Sequence, residues 1–382
     1  MDHRTLIHSA RIVSGGASHP DAWVQFDGNT IRARGSGDGW VALAAAAEVI
    51  DASGRTLTPG FIDLHGHGAG GFAYDEGPEA AESAIEVHRA HGTTRSVLSL
   101  VTARLDDVIA RVRALAPLVV SDPLVMGLHL EGPFLADSYR GAHDPELLRA
   151  PDAASVRALL DAANGTLFQV TLAPELPGAE AAVRRFVEEG VRVAIGHTAA
   201  DFDEATRAFG WGATLLTHAF NGMAGMHHRA PGPALAAMRC RQATLEVIAD
   251  AVHVHPEMIA LLFREAPHRV ALITDAMAAT GAPDGDYQLG PLQVAVRGGV
   301  ARTAAGGLAG STLTQDRALR VAVQEAGVSL TEAVTALTET PASCLGRAHD
   351  LGRLDPGYRA DAVLLSSDLR VESVWAEGRR LF

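Results

Sequence analysis

Apolar runs long enough for buried strands recur through the middle of the chain, at 57–64, 93–101, 124–130, 167–173, 191–196, 213–217, 244–249 and 269–274. Between most of them the apolar positions fall three and four apart, the helical period, over 79–91, 104–117, 152–163, 178–190 and 201–209. Near-continuous apolar strands alternating with helices predict a parallel sheet covered on both faces. Eight such units in a span of this length fit a closed, TIM-like (β/α)8 barrel. The structural rival is a doubly wound open sheet. The two ends of the chain read differently. Short strands separated by turns occur at 5–8, 22–26, 30–32 and 48–51, with Asp27-Gly28-Asn29 as a tight turn, and again at 360–365 and 371–375. The fold class predicted is therefore α/β, a (β/α)8 barrel with one small β-sandwich domain formed by both termini.

In such a barrel the functional end is the carboxyl end of the strands, and there the pattern changes from apolar to metal-capable. The first run leads into His65-Gly66-His67, two imidazoles spaced i, i+2 and so on one face of an extended chain. A pair like this is, by itself, ordinarily just solvated or hydrogen-bonded. The third run places Glu131 at its tip, the fifth ends in His197, the sixth in His218 and the eighth in Asp275. Any one of these is an ordinary polar strand terminus. Five in one register make a site, because a barrel brings separated strand ends into one funnel. Imidazoles with a carboxylate suit Zn2+ with a position left for water. Such an ion lowers its water's pKa to about 7, making hydroxide available at neutral pH. Asp275 then suits proton handling, from that water to a leaving nitrogen. The chemistry is metal-assisted hydrolysis of an amide or ester. His129 shares the face of Glu131 and reads as a packed or supporting histidine rather than a ligand.

Composition narrows the field. The 382 residues are 47% hydrophobic and 20% charged, a globular balance with room for one large domain or two moderate ones. A net charge of −13 argues against a nucleic-acid partner, since phosphate backbones need a basic face. No run approaches the length of a membrane span and the first residues carry no signal-peptide core, so no membrane partner is expected. Cys240 and Cys344 do not make a disulfide framework, which leaves the cytoplasm as the default compartment. All 32 basic residues are arginine. The lack of lysine excludes Schiff-base chemistry, P-loop phosphate binding and any metal bridge built on a modified lysine.

Taken together the motifs resemble the amidohydrolase superfamily, and within it the N-acetylglucosamine-6-phosphate deacetylases, over nearly the whole chain. Pro59-Gly60-Phe61-Ile62-Asp63 with His65 and His67 carries the superfamily's first motif. His129-Leu130-Glu131-Gly132-Pro133-Phe134, Gly196-His197-Thr198, Thr217-His218-Ala219-Phe220-Asn221-Gly222-Met223 and Ile273-Thr274-Asp275-Ala276 are more specific to the deacetylases. Gly352 to Asp361 resembles the return to the small domain, which pairs 1–54 with 352–382 around a barrel of 55–351. The resemblance implies that Glu131, His197 and His218 hold the main divalent metal, Zn2+. His65 and His67 match members with a second ion, whereas others use one, so one or two per subunit stays open. Asp275 matches a catalytic aspartate at the metal, and His143 a histidine that polarises the acetyl carbonyl. Substrate contacts are implied for Ala142, Asn221, Gly222, Arg229, Asp250, Ala251, Val252, His253, Leu308, Ala309 and Gly310. The guanidinium of Arg229 suits a phosphate monoester. The implied reaction releases acetate from N-acetylglucosamine 6-phosphate, a small-molecule amino-sugar phosphate, in a homodimer whose subunits share the phosphate grip. Which of Arg229 and His253 reaches across is open. Ala251 departs from the glycine usual in that family. Alternatives are a related substrate, N-acetylgalactosamine 6-phosphate or an N-acyl amino acid, and a non-catalytic sugar-phosphate sensor.

Overall fold

Strands β1 (Arg4–Ser14), β2 (Ala17–Asp27) and β3 (Thr30–Ser36) form an antiparallel meander in the computed structural model, which describes residues 4–382. The turn expected at Asp27-Gly28-Asn29 joins β2 to β3. On its other edge β1 runs parallel to β4 (Glu48–Asp51) and β5 (Thr56–Pro59). The sequence reading of one strand over 57–64 is corrected here. The run is split between β5 and β6 (Phe61–Asp63) at Gly60, whose N–H donates to Asp361 O at 2.9 Å, while Phe61 N–H donates to Gly92 O at 3.1 Å. The two halves serve different sheets, and an unbroken apolar pattern cannot show that.

After the two-residue strands β7 (Gly68–Ala69) and β8 (Phe72–Ala73), the barrel strands follow in chain order. They are β9 (Thr93–Val101), β10 (Val125–Glu131), β11 (Leu167–Leu172), β12 (Arg192–Ile195), β13 (Leu215–Leu216), β14 (Thr244–Ile248) and β15 (Val270–Ile273). Their spatial order from β6 to β15 is sequential, and the ladders from β9 through β15 are parallel. The circuit returns at His65, whose carbonyl accepts from Asp275 N–H at 2.9 Å. Helices α1 (Pro78–Ala90), α2 (Leu105–Ser121), α3 (Ala153–Ala163), α4 (Ala179–Glu188) and α5 (Phe202–Trp211) match the predicted ones, with α2 running on past Pro117. Two more, α6 (Gly232–Arg239) and α7 (Pro256–Glu265), complete the alternation.

Between barrel and carboxyl terminus stands a meander that the sequence reading lacked, β16 (Gly285–Leu289), β17 (Leu292–Arg297) and β18 (Val300–Thr303). Leu289, Val294, Val296 and Ala301 pack it on Val101 and Met277. The chain ends in β19 (Ala362–Leu365), β20 (Val371–Ala376) and β21 (Arg379–Arg380). β19 pairs antiparallel with β5, so strands from both ends of the chain make one sheet around Ile7, Val24, Phe26, Leu57 and Trp375. The chain divides into two compact units, one of residues up to Asp63 with His88–Arg95 and Gln315–Phe382, the other of Leu64–Val87 and Ser96–Thr314.

Candidate metal centre and its pocket

Four donors share one offset. His65, His197, His218 and Asp275 each stand two residues beyond the last residue of β6, β12, β13 and β15, and Glu131 is the last residue of β10. His197, His218 and Asp275 have φ of 48°, 26° and 49°. That left-handed turn costs a non-glycine residue about 1–3 kcal/mol and persists where the surroundings hold it. Here it stops the strand and brings the three side chains together over the barrel mouth.

Glu131 is the junction. Its Oε1 lies 3.1 Å from His197 Nε2, 3.1 Å from His218 Nε2 and 3.5 Å from His65 Nε2. Its Oε2 lies 3.1 Å from His67 Nε2 and 3.6 Å from His143 Nε2. Asp275 Oδ1 is 3.2 Å from His67 Nε2 and 3.6 Å from His65 Nε2. Two donor groups result, His65, His67, Glu131 and Asp275 in one and Glu131, His143 and His197 in the other, with His218 Nε2 3.0 Å from His197 Nε2. Donors around a tetrahedral ion with bonds of about 2.0–2.1 Å stand about 3.3 Å apart. The donor set thus fits a divalent metal, as spacing and as chemistry.

The imidazoles are held in one tautomer. Nδ1 of His67, His197 and His218 faces the carbonyl oxygens of Ser99, Tyr139 and Asn221 at 3.2, 2.9 and 3.1 Å. A carbonyl only accepts, so in the neutral ring Nδ1 carries the proton and Nε2 is the nitrogen left to bind a metal. His129 has both ring nitrogens on hydroxyls, Ser99 Oγ and Thr171 Oγ1, each at 2.8 Å. Burial holds its pKa well below the usual value. It packs edge-on against His65 at 4.6 Å and supports the centre without joining it.

The electrostatics favour a cation. Burial pushes His67 down, but hydrogen bonds to Asp275 and Glu131 outweigh it and raise the group to about 9. His65 is raised likewise, the carboxylates of Glu131 and Asp275 overcoming its burial. Burial raises Asp275 and Glu131, and the surrounding imidazoles more than reverse this, leaving both carboxyls below their ordinary range. His143 is lowered, chiefly by burial, so its ring is neutral at neutral pH.

Above the donors lies a cavity of about 290 Å³, near the lower end for small-molecule sites. His67, Glu131, His143, His197, His218 and Asp275 line it, with Ala142, Asn221, Gly222, His253, Leu308 and Gly310. Arg229, Asp250, Ala251, Val252 and Ala309, of the remaining substrate candidates, do not. Asp250 instead holds His253, its Oδ2 2.6 Å from His253 Nδ1. Ala251 is exposed, in the left-handed region at φ 61°. Lining residues missed from sequence include Ile248, Leu289 and Thr303. The alternation Leu292-Gln293-Val294-Ala295-Val296-Arg297 was a legible strand signal for the meander that brings the last two.

The Amidohydrolase family matches residues 56–381. N-acetylgalactosamine-6-phosphate deacetylase of Escherichia coli O157:H7 is 41% identical over 87% of this chain and 89% of its own. N-acetylglucosamine-6-phosphate deacetylase of Vibrio furnissii is 35% identical over 100% of this chain and 96% of its own. Among solved structures, a mutant N-acetyl-D-glucosamine-6-phosphate deacetylase of Mycobacterium smegmatis, in complex with N-acetyl-D-glucosamine-6-phosphate, superposes with a TM-score of 0.94 at 39% identity, over 99% of each chain. Barrel, donor set and sequence agree: the chain belongs to the amidohydrolase family.

Proposed function

We propose that the chain hydrolyses the acetamide of N-acetylglucosamine 6-phosphate, giving glucosamine 6-phosphate and acetate, with Zn2+ as its divalent ion. The observation that carries this reading is Glu131 shared between two imidazole groups at the floor of a sugar-sized cavity, in a chain whose relatives deacetylate amino-sugar phosphates. His65, His67 and Asp275 on one side of Glu131, and His197 and His218 on the other, support two ions per subunit. Bound there, the metal supplies Lewis acidity and a water acidified to about 7. Asp275, ionised at neutral pH, takes the proton of the attacking water and passes it to the amine nitrogen as the C–N bond breaks. His143, a neutral ring in the cavity wall, donates to the acetyl oxygen, a role whose removal elsewhere costs about 10²–10³ in kcat.

The phosphate falls to His253 in the wall and to Arg229, which is exposed with Nη1 2.7 Å from His228 Nε2. An arginine outside its own cavity suits a homodimer in which it serves the neighbouring subunit. No described helix is long and apolar enough to cross a membrane, and two free cysteines go with the reducing cytoplasm. A second reading has its own support: the relative at 41% identity acts on the galactosamine epimer. The test is acetate release by zinc-loaded protein from both phosphorylated epimers and from N-acetylglucosamine itself. Faster release from the glucosamine 6-phosphate substrate is expected. Preference for the galactosamine epimer selects the second reading, and equal rates on the free sugar remove the phosphate from recognition.

A further inference from the structure

Carbonyl oxygens orient three of the five histidines that bear on Glu131 and Asp275, and side-chain mutation cannot remove them. His65 differs. Its Nδ1 lies 3.5 Å from Oε2 of Glu246, and both side chains are fully buried. Glu246 is in the middle of β14, two residues before Ile248 and on the same face, which puts it one layer beneath the cavity wall. Its Oε1 accepts from Gln169 Nε2 at 2.9 Å, while Oε2 has no hydrogen-bond partner among the described residues. A barrel interior at this depth is ordinarily filled by branched apolar side chains, and a buried carboxylate oxygen left unpaired is costly. Gln169 thus fixes one oxygen and leaves the other facing the ring, just outside the usual hydrogen-bond range of about 2.7–3.2 Å. A small rotation of the carboxyl closes the gap.

Resting on the metal reading given above, we infer that Glu246 is a positioning residue for His65: its carboxylate, set by Gln169, holds the proton on Nδ1 and the lone pair of Nε2 toward the ion shared with His67 and Asp275. Carboxylates behind ligating histidines act in this way, and their loss elsewhere lowers metal affinity about 10–100-fold. The effect is local to one side of Glu131, because His197 and His218 take their orientation from Tyr139 and Asn221.

The experiment is zinc uptake by metal-free parent, Glu246→Gln and Glu246→Leu proteins, dialysed against a series of buffered free Zn2+ concentrations, with bound zinc counted per subunit. Glu246→Gln keeps the shape and a hydrogen-bond acceptor, and Gln169 can turn its amide to meet it. The weaker uptake step is expected to shift about tenfold in Glu246→Gln and about a hundredfold in Glu246→Leu. The tighter step stays within twofold, as do the melting temperatures of metal-free parent and Glu246→Gln to within a degree or so. Uptake curves that superpose on the parent's, at either stoichiometry, overturn the inference, as does equal weakening of every step. If Glu246→Leu does not fold, Glu246→Gln decides on the same criterion. A parent that takes up no zinc overturns this inference together with the metal reading. A parent that takes up zinc but releases no acetate sinks the substrate reading and leaves this one standing.

Discussion

Asp275 has two neighbours pulling on one carboxyl group, His67 Nε2 at 3.2 Å and His65 Nε2 at 3.6 Å. Burial alone would favour the protonated acid, but the two rings reverse the sign, so the group is a base at neutral pH. Asn in its place keeps the shape and one acceptor oxygen but cannot take a proton. Asp275→Asn is expected to lower kcat by about 10²–10⁴ while leaving KM within a few fold. A kcat within tenfold of the parent, at matched zinc content, removes Asp275 from proton transfer. His67 makes a second prediction at this scale. With its pKa at about 9 in the metal-free protein, the ring carries a proton at pH 7 that a metal must displace. Zinc uptake at pH 7 therefore releases protons, and apparent affinity rises with pH up to about 9. Calorimetry in buffers of different ionisation enthalpy reads this directly; heats independent of buffer contradict it.

At the scale of elements, the sequence exposed what is periodic and hid what is interrupted. The barrel strands end within a residue or two of the apolar runs because a parallel sheet buries both faces and needs no alternation. The common offset of His65, His197, His218 and Asp275 was legible for the same reason: each is the first side chain able to hold a metal after an apolar run. Glu246 was not, since a carboxylate inside Thr244-Leu245-Glu246-Val247-Ile248 reads as a flaw in the run. Its meaning lies in Gln169 and His65, 77 and 181 positions away. Helix α6 was missed because Gly-Pro-Ala-Leu-Ala-Ala-Met-Arg has little polar face against which to see a period. The turn leaving β13 shows what such irregular stretches do. Gly222 has φ 61°, and a methyl there would stand 2.9 Å from His197 Nδ1 and 3.3 Å from His218 Cε1. Gly222→Ala is therefore expected to displace His197 from Tyr139 O, lowering zinc affinity and kcat/KM by about tenfold or more. Parent-like zinc uptake in that variant shows that the turn yields instead of the ring.

At the scale of the whole molecule, the donors concentrate negative charge in an interior that must be stable with or without a cation. Glu131, Glu246 and Asp275 are all buried, and all belong to the unit of Leu64–Val87 and Ser96–Thr314. Protons on His65 and His67 are the substitute for metal, because both rings are raised by the carboxylates around them. A group whose folded pKa lies above its unfolded value stabilises the fold fully below the unfolded pKa. For His67 that contribution is present below about 6.5 and is lost as pH rises through about 9. Metal binding adds RT ln(1 + [L]/Kd), about 2.7 kcal/mol at a hundredfold excess over Kd. The two effects compete for the same lone pairs, so chelation destabilises least where protons can replace the metal. The melting temperature is expected to fall on chelation at pH 7, to fall further at pH 9.5, and to recover when zinc is restored. A fall that is the same at both pH values, or smaller at pH 9.5, would mean that the imidazoles of His65 and His67 are not where protons and metal exchange.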